Sequence, residues 1–233
     1  MLSHQIEKNG EFELKYTFPN FLSPTLESWL ITSCKKDKKY PESKVQSIYL
    51  ETLNADSYQE KVNSDFFKTK YRVRWYETQD TTDNNGGDDY PIFLEKKMKV
   101  GAKRLKERWV ARSNFEALRL KKLTSRFHEN WHDIFAEKEV VPYLCPLIQI
   151  SYTRKRFIDS FSGARFSLDY NIRVEKTNSL LLPPPQSEPL ENGVFEVKSN
   201  SDTPPFSIQY LVENLAKKNT FSKYERCVSC LTI

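Results

Sequence analysis

Charged and apolar side chains alternate along many short segments of this 233-residue chain. A period of two is typical of β-strands, because successive side chains of a strand point to opposite faces of the sheet. The pattern predicts strands over residues 11–18, 44–52, 71–77, 92–100, 104–111, 147–156, 164–176 and 193–198. Most of the predicted secondary structure is therefore β.

Apolar residues at helical spacing predict helices between some of these strands. The helices are expected over 21–34, 55–62, about 113–137 and 206–217. Ser23 is the expected N-cap of the first helix, with Pro24 as its first helical residue. Residues 78–90 and 182–189 are polar or Pro-rich and predict surface connections. Together these elements predict one α+β domain over residues 1–233 with a mostly antiparallel sheet.

The polar face of nearly every predicted strand carries arginine, lysine or glutamate. Alternation places on shared faces Glu11, Glu13 and Lys15; Arg72 and Arg74; Glu95 and Lys97; Arg104, Lys106 and Arg108; Tyr152, Arg154 and Arg156; Arg165, Ser167 and Asp169; Glu196 and Lys198. A polar sheet face usually lies in solvent. Here the recurrence of guanidinium and ammonium groups favours a basic site for a phosphate-rich anion. If the sheet closes into a barrel, these charges point inward around the anion and the helices pack outside.

The glutamates on these faces would oppose a phosphate unless a cation bridges the two. Carboxylate and phosphate oxygens together suit Mg²⁺ or Mn²⁺. Salt bridges between the glutamates and neighbouring arginines would explain the same residues. From the residues alone, both interpretations remain open.

Composition narrows the remaining classes of function. The net charge is +5 and glycine is scarce, with 6 residues and no GxxxxGK[ST] or GxGxxG phosphate loop. The apolar runs are too short for a membrane span, and the N-terminus lacks a signal-peptide core, so a cytoplasmic protein is expected. Cys227 and Cys230 form a lone CxxC, which favours reduced thiols over structural zinc.

Short motifs in a fixed order resemble a known family. Residues 11–15, EFELK, match the ExExK motif of the triphosphate tunnel metalloenzymes, also called CYTH-like proteins. YRVRWY, FLEKK, LKERW, ISYTRKRF, ARFSLDY, VFEVKS and FSKYERC follow in the order seen in the VTC domain. That domain is the polyphosphate polymerase module of the vacuolar transporter chaperone complex, and it also occurs as stand-alone bacterial proteins. The resemblance covers nearly the whole chain.

The resemblance implies an antiparallel, barrel-like tunnel with outer helices that binds ATP or another nucleoside triphosphate with Mn²⁺ or Mg²⁺. It implies transfer of the terminal phosphate of ATP onto polyphosphate. By position, the catalytic cations would be Lys15, Arg72, Arg74, Lys97 and Lys106. Further phosphate-binding residues would be Arg154, Arg165, Ser222 and Lys223, to which the alternation adds Tyr152, Arg156, Arg108 and Lys198. The metal ligands would be Glu196, with Glu13, Glu95 and Glu11 as further candidates, while Glu51 departs from the family pattern and stays open.

Two other functions fit the same residues. One is hydrolysis of tripolyphosphate or a nucleoside triphosphate, and the other is binding of polyphosphate without catalysis. Nucleic acid is not an expected partner, because exposed aromatics interleaved with a basic groove are not evident. Coupling to transport would need a membrane-protein partner that this chain does not encode.

Overall fold

A computed structural model describes residues 3–8, 11–77, 90–101, 103–113 and 144–232. Its described strands form an antiparallel sheet and have the following bounds: β1 (Ser3–Lys8), β2 (Phe12–Pro19), β3 (Lys35–Lys36), β4 (Glu42–Glu51), β5 (Phe67–Glu77), β6 (Tyr90–Val100), β7 (Lys103–Ser113), β8 (Cys145–Ile158), β9 (Arg165–Thr177), β10 (Asn192–Ser199) and β11 (Lys217–Lys218). The expected α+β class with an antiparallel sheet is confirmed.

The strand order makes one continuous sheet that curls around a central space. The order is β1-β7-β6-β5-β4-β8-β9-β10-β2-β11, and β3 pairs separately with β8. Side chains of β2 and β7, which lie near opposite ends of this order, line the same cavity. Within the described strands the sheet is not closed by hydrogen bonds, because β1 and β11 remain its two edges. The tunnel is therefore a curled sheet with two open edges.

Apolar faces of the strands pack away from this space. Val73, Trp75, Leu94 and Trp109 form one buried cluster on β5, β6 and β7. Burial of each large side chain of this kind contributes about 1.5–3 kcal/mol. The charged residues at alternate positions must then face the opposite side, as the alternation predicts.

The described α-helices are α1 (Ser23–Ser33), α2 (Asp56–Val62), α3 (Gln209–Asn214) and α4 (Lys223–Thr232). Leu26 and Leu30 of α1 and Leu211 of α3 share a second core cluster with Phe18 and Phe195 from the sheet. In the described part of the chain, no helix is long and apolar enough to span a bilayer.

The predicted N-cap of α1, Ser23, is wrong, because the observed N-cap lies one residue earlier. A 3₁₀ turn over Asn20–Leu22 runs directly into α1, so Leu22 is the N-cap and makes no side-chain capping bond. Ser23 is already helical, and Pro24 lies in the first turn, where its missing N–H costs no helical hydrogen bond.

The expected helix over 206–217 is too long. The chain forms a 3₁₀ turn over Phe206–Ile208 and then α3, and Lys217–Lys218 pair with β2 as β11. The sequence analysis missed α4, although Tyr224, Cys227 and Val228 are buried at helical spacing. It also missed β1. The expected loop over 78–90 and the expected helix over about 113–137 fall outside the described residues, except that Tyr90 begins β6 and Ser113 ends β7.

Candidate active site

A cavity of about 1370 Å³ occupies the inside of the curled sheet. Among the described residues, seventeen lysines and arginines line it, against the acids Glu13, Asp37 and Glu196. The predicted site residues in this lining are Glu13, Lys15, Arg72, Arg74, Lys97, Lys106, Arg108, Tyr152, Arg154, Arg156, Arg165, Glu196, Lys198, Ser222 and Lys223. The fold thus brings together nearly the whole predicted set.

Glu95 of β6 lies in the wall of the cavity and is completely buried. Its Oε2 accepts a hydrogen bond of 2.6 Å from Arg72 Nε, and its Oε1 accepts bonds of 3.0 and 2.7 Å from Arg108. Lys106 Nζ lies 3.1 Å and Arg74 Nη1 3.9 Å from the same carboxylate. Burial would raise the pKa of Glu95, but these cations hold it well below its usual range. Glu95 is therefore a buried anion that holds four cations in place.

The cations of this wall outnumber its anions. On β5 and β6, Lys70 pairs in register with Lys97, which pairs in turn with Lys106 of β7. The charge of Arg72, together with desolvation, lowers the pKa of Lys97 well below its usual value. Burial, Lys61 and Lys15 lower the pKa of Lys70 to about 8. Mutual repulsion between ammonium groups would be relieved by a bound polyanion.

A second charged cluster lies on the opposite wall and is nearly balanced. Arg154 donates two hydrogen bonds of 2.6 and 2.5 Å to the buried carboxylate of Asp169. Lys223 Nζ lies 2.6 Å from Asp169 Oδ2 and 3.3 Å from Glu196 Oε1. Burial would raise the pKa of Glu196, but Lys223, Lys15 and Arg154 hold it well below its usual range. This wall fixes its side chains by internal ion pairs.

The start of α4 places Ser222 and Lys223 in the cavity. Tyr224, the next residue, donates its hydroxyl hydrogen to the buried carboxylate of Glu51 and stacks on Tyr49 at 4.8 Å. Glu51 also accepts hydrogen bonds from backbone amides in the first turn of α2. Glu51 therefore joins β4, α2 and α4, and it positions the helix rather than lining the cavity.

Two of the four predicted metal ligands, Glu95 and Glu11, are paired with cations in the structure. Glu95 is surrounded by cations on both carboxylate oxygens, which fits an ion-pair role and leaves no oxygen facing the cavity. Glu11 is bonded to Arg165 and does not line the cavity. Of the two interpretations left open by the residues alone, the salt bridge describes both glutamates.

Glu13 and Glu196 remain as carboxylates that could hold a divalent cation. They lie on the neighbouring strands β2 and β10, and Lys15 Nζ sits 2.9 Å from Glu13 Oε1 and 3.7 Å from Glu196 Oε1. Within the described ranges, no group of three His, Cys, Asp or Glu side chains could hold a metal ion. Phosphate oxygens would have to complete the coordination, as is usual for Mg²⁺. The donor set fits a cation shared between protein and phosphate.

The sequence analysis did not identify every residue and every contact of this site. Lys70 faces the cavity because β5 begins at Phe67, four residues before the predicted strand. With the true start, alternation would have placed Lys68 and Lys70 on the face of Arg72. Asp169 was recognised as part of an inward face, but its pairing with Arg154 depends on the β8–β9 register.

We expect Glu95→Gln to destabilise the protein, because it leaves buried cations without their anion. Loss of one partner from a buried ion pair costs about 3–5 kcal/mol. Urea unfolding measures this change in the free energy of unfolding. Glu27→Gln is the matched control, since Glu27 pairs with Lys155 in a partly exposed position and should cost about 1 kcal/mol or less. Equal losses in the two variants would contradict the role assigned to Glu95.

One of the following solved structures shares this fold at low sequence identity, and the other two superpose less closely. A putative adenylate cyclase from Bacillus halodurans superposes with a TM-score of 0.57 and 13% identity, covering 95% of this chain and 97% of that one. A putative adenylyl cyclase from Hippeastrum, described as having a dominant triphosphatase activity, has a TM-score of 0.47 and 14% identity, covering 96% of this chain and 97% of that one. A protein from Pyrococcus horikoshii has a TM-score of 0.49 and 12% identity, covering 94% of this chain and 99% of that one. No curated protein matches the chain.

A protein-family model matches the part of the chain that carries these motifs and lines the cavity. The VTC domain model matches residues 11–232, from the start of the ExExK segment to the end of α4. By its matched sequence, the chain belongs to the VTC domain family.

Proposed function

We propose that this protein is a polyphosphate polymerase that moves the terminal phosphate of ATP onto a polyphosphate chain held in the cavity. The observation that carries the proposal is the set of seventeen described lysines and arginines that line one cavity. Membership of the VTC domain family supports polymer synthesis over hydrolysis.

The charge of the lining exceeds what one nucleoside triphosphate needs. On β5 alone, Lys68, Lys70, Arg72 and Arg74 all line the cavity. Over these residues the strand extends about 20 Å at roughly 3.3 Å per residue. A site this long and this basic suits a row of phosphates longer than a triphosphate.

The proposed reaction needs positioning and charge neutralisation more than covalent catalysis. A terminal oxygen of the polyphosphate chain attacks the γ-phosphorus of ATP and forms a new P–O bond. The bond between that phosphorus and the β–γ bridging oxygen breaks, and ADP leaves with the bonding electron pair. A chain one phosphate longer remains in the cavity.

The residues divide this work between the two walls. Arg72, Arg74 and Lys106, held by Glu95, would bind the nonbridging oxygens of the transferred phosphate and neutralise its developing charge. Arg154 and Lys223 would bind neighbouring phosphates from the other side. A divalent cation held by Glu13 and Glu196 would supply further neutralisation of phosphate charge.

The fate of labelled ATP tests the proposal. With γ-labelled ATP, Mn²⁺ and a short polyphosphate primer, we expect label in a long polymer on a gel together with an equimolar amount of ADP. Glu196→Gln should keep the fold by circular dichroism but lose metal-dependent turnover. Glu42→Gln, a change at an exposed side chain, is the matched control and should remain active. Label released only as free phosphate or pyrophosphate would refute polymer synthesis and indicate hydrolysis.

Lys70 predicts a pH dependence of phosphate binding. Its pKa of about 8 means that its charge is lost as the pH rises from about 7 to 9, so the affinity for tripolyphosphate should fall over that range. Lys70→Arg should keep the affinity at high pH because a guanidinium stays charged. Calorimetric titrations of both proteins measure this affinity across the pH range. Because the ionisation of tripolyphosphate is the same in both titrations, the difference between the two profiles reports the side chain at position 70. Parallel pH profiles would contradict the assignment.

A further inference from the structure

The inner face of the β5–β6 pair changes in character from one end to the other. In register, Lys68 faces Lys99, Lys70 faces Lys97, Arg72 faces Glu95 and Arg74 faces Phe93. Tyr76 and Pro91 continue the same faces, and both line the cavity. The wall is thus all lysine at one end and aromatic at the other. Lys68 and Tyr76 are eight residues apart, or about 26 Å along the strand.

At the aromatic end, rings and guanidinium groups are stacked together. The guanidinium carbon of Arg156 lies 5.4 Å from the centre of the Tyr76 ring. Phe93 meets Tyr76 edge to face at 5.7 Å, and Arg108 lies 4.9 Å from the Phe93 ring. Both cations are within the usual distance of a cation–π contact. Flat, polarisable surfaces are concentrated here, together with one ammonium group, that of Lys39, whose Nζ lies 5.1 Å from the centre of the Tyr40 ring.

Arg156 is held in a fixed plane at this end. Its Nη1 donates to the Tyr40 carbonyl at 3.2 Å and to Ser43 Oγ at 3.1 Å. Asp37 Oδ1 accepts the backbone amide of Tyr40 at 2.8 Å, which fixes the segment that carries this carbonyl. Arg156 Nη1 is therefore already hydrogen-bonded within the protein. That use fits a stacking surface better than the phosphate-binding role that alternation alone suggests.

Tyr40 adds an exposed ring to the same end. About half of its surface is accessible, and both Tyr40 and Arg156 line the cavity. Nucleic bases bind by stacking on aromatic rings and on guanidinium planes, with little dependence on the base. The surface formed by Tyr40, Tyr76, Phe93 and Arg156 matches this chemistry.

We propose that this surface is a nucleoside subsite that receives the planar base of the phosphate donor. The inference rests on the proposed function, because it assumes a nucleoside triphosphate as donor. The triphosphate then points along β5 and β6 toward Arg72 and Lys97, so the reacting phosphate reaches the cations around Glu95. The polyphosphate chain occupies the lysine end, and ADP leaves past the aromatic end. Stacking as the main contact predicts weak discrimination between adenine and other purine bases.

Binding measurements on ring-deletion variants test this subsite. With Mn²⁺ present, calorimetry compares ATP, ADP and tripolyphosphate, of which the last has no base. Tyr40→Ala and Tyr76→Leu should each weaken the binding of ATP and ADP by about tenfold, in the range of base–aromatic stacking. The affinity for tripolyphosphate should stay nearly unchanged. Tyr76→Phe keeps the ring and should bind ATP normally. Tyr210→Ala is the matched control, since Tyr210 is exposed and stacks on Trp29, outside the cavity lining.

The outcomes separate the subsite from the function on which it rests. Equal weakening of ATP and tripolyphosphate would overturn the subsite, because these side chains would then serve the phosphates. Unchanged ATP affinity in both Tyr40→Ala and Tyr76→Leu would overturn it as well, because the base would lie elsewhere. In either case tripolyphosphate binding by the unmodified protein would leave the polymerase proposal standing. An unmodified protein that binds neither ligand would refute both.

Discussion

Repulsion among buried cations is the constraint on which this structure depends. Arg72, Arg74, Lys106 and Arg108 converge on the single carboxylate of Glu95, and Lys97 adds a further charge beside them. Two like charges 4 Å apart repel by about 4 kcal/mol at an effective dielectric constant of 20. Glu95 offsets part of this repulsion and sets the geometry of the guanidinium groups. The remaining surplus of positive charge is the physical basis of the proposed polyanion site.

The sheet makes this concentration of charge possible. Strands that expose cations on one face bury Val73, Trp75, Leu94 and Trp109 on the other, so apolar packing stabilises the wall that repulsion strains. The opposite wall is built differently, with Asp169 and Glu196 balancing Arg154 and Lys223. One wall therefore carries a surplus of positive charge, while ion pairs fix the side chains of the other. A curled sheet brings the two walls face to face.

Period-two alternation predicted most of the strands and many of the charged side chains that line the cavity, because a strand face follows directly from sequence spacing. Alternation could not predict contacts between segments that are distant in the sequence. The bond from Tyr224 to Glu51 joins residues 173 positions apart, and the partners of Glu95 lie on two other strands, β5 and β7. Alternation placed Glu95 on the correct face, but only the registers of β5–β6 and β6–β7 bring cations to both of its carboxylate oxygens. Lys70 was missed because the segment before Tyr71 is polar on both faces and hides the start of β5.

Thermal unfolding with and without tripolyphosphate, in the presence of Mn²⁺, tests the central claim most directly. Ligand at 100 times its dissociation constant adds about 2.7 kcal/mol to stability. For a chain of this size, each kcal/mol raises Tm by about 2–4 °C. The account predicts a rise of several degrees in the unmodified protein and its loss in the Arg72→Ala, Arg74→Ala double variant. An unchanged Tm in the unmodified protein would contradict the claim that this cavity is built for a polyphosphate anion.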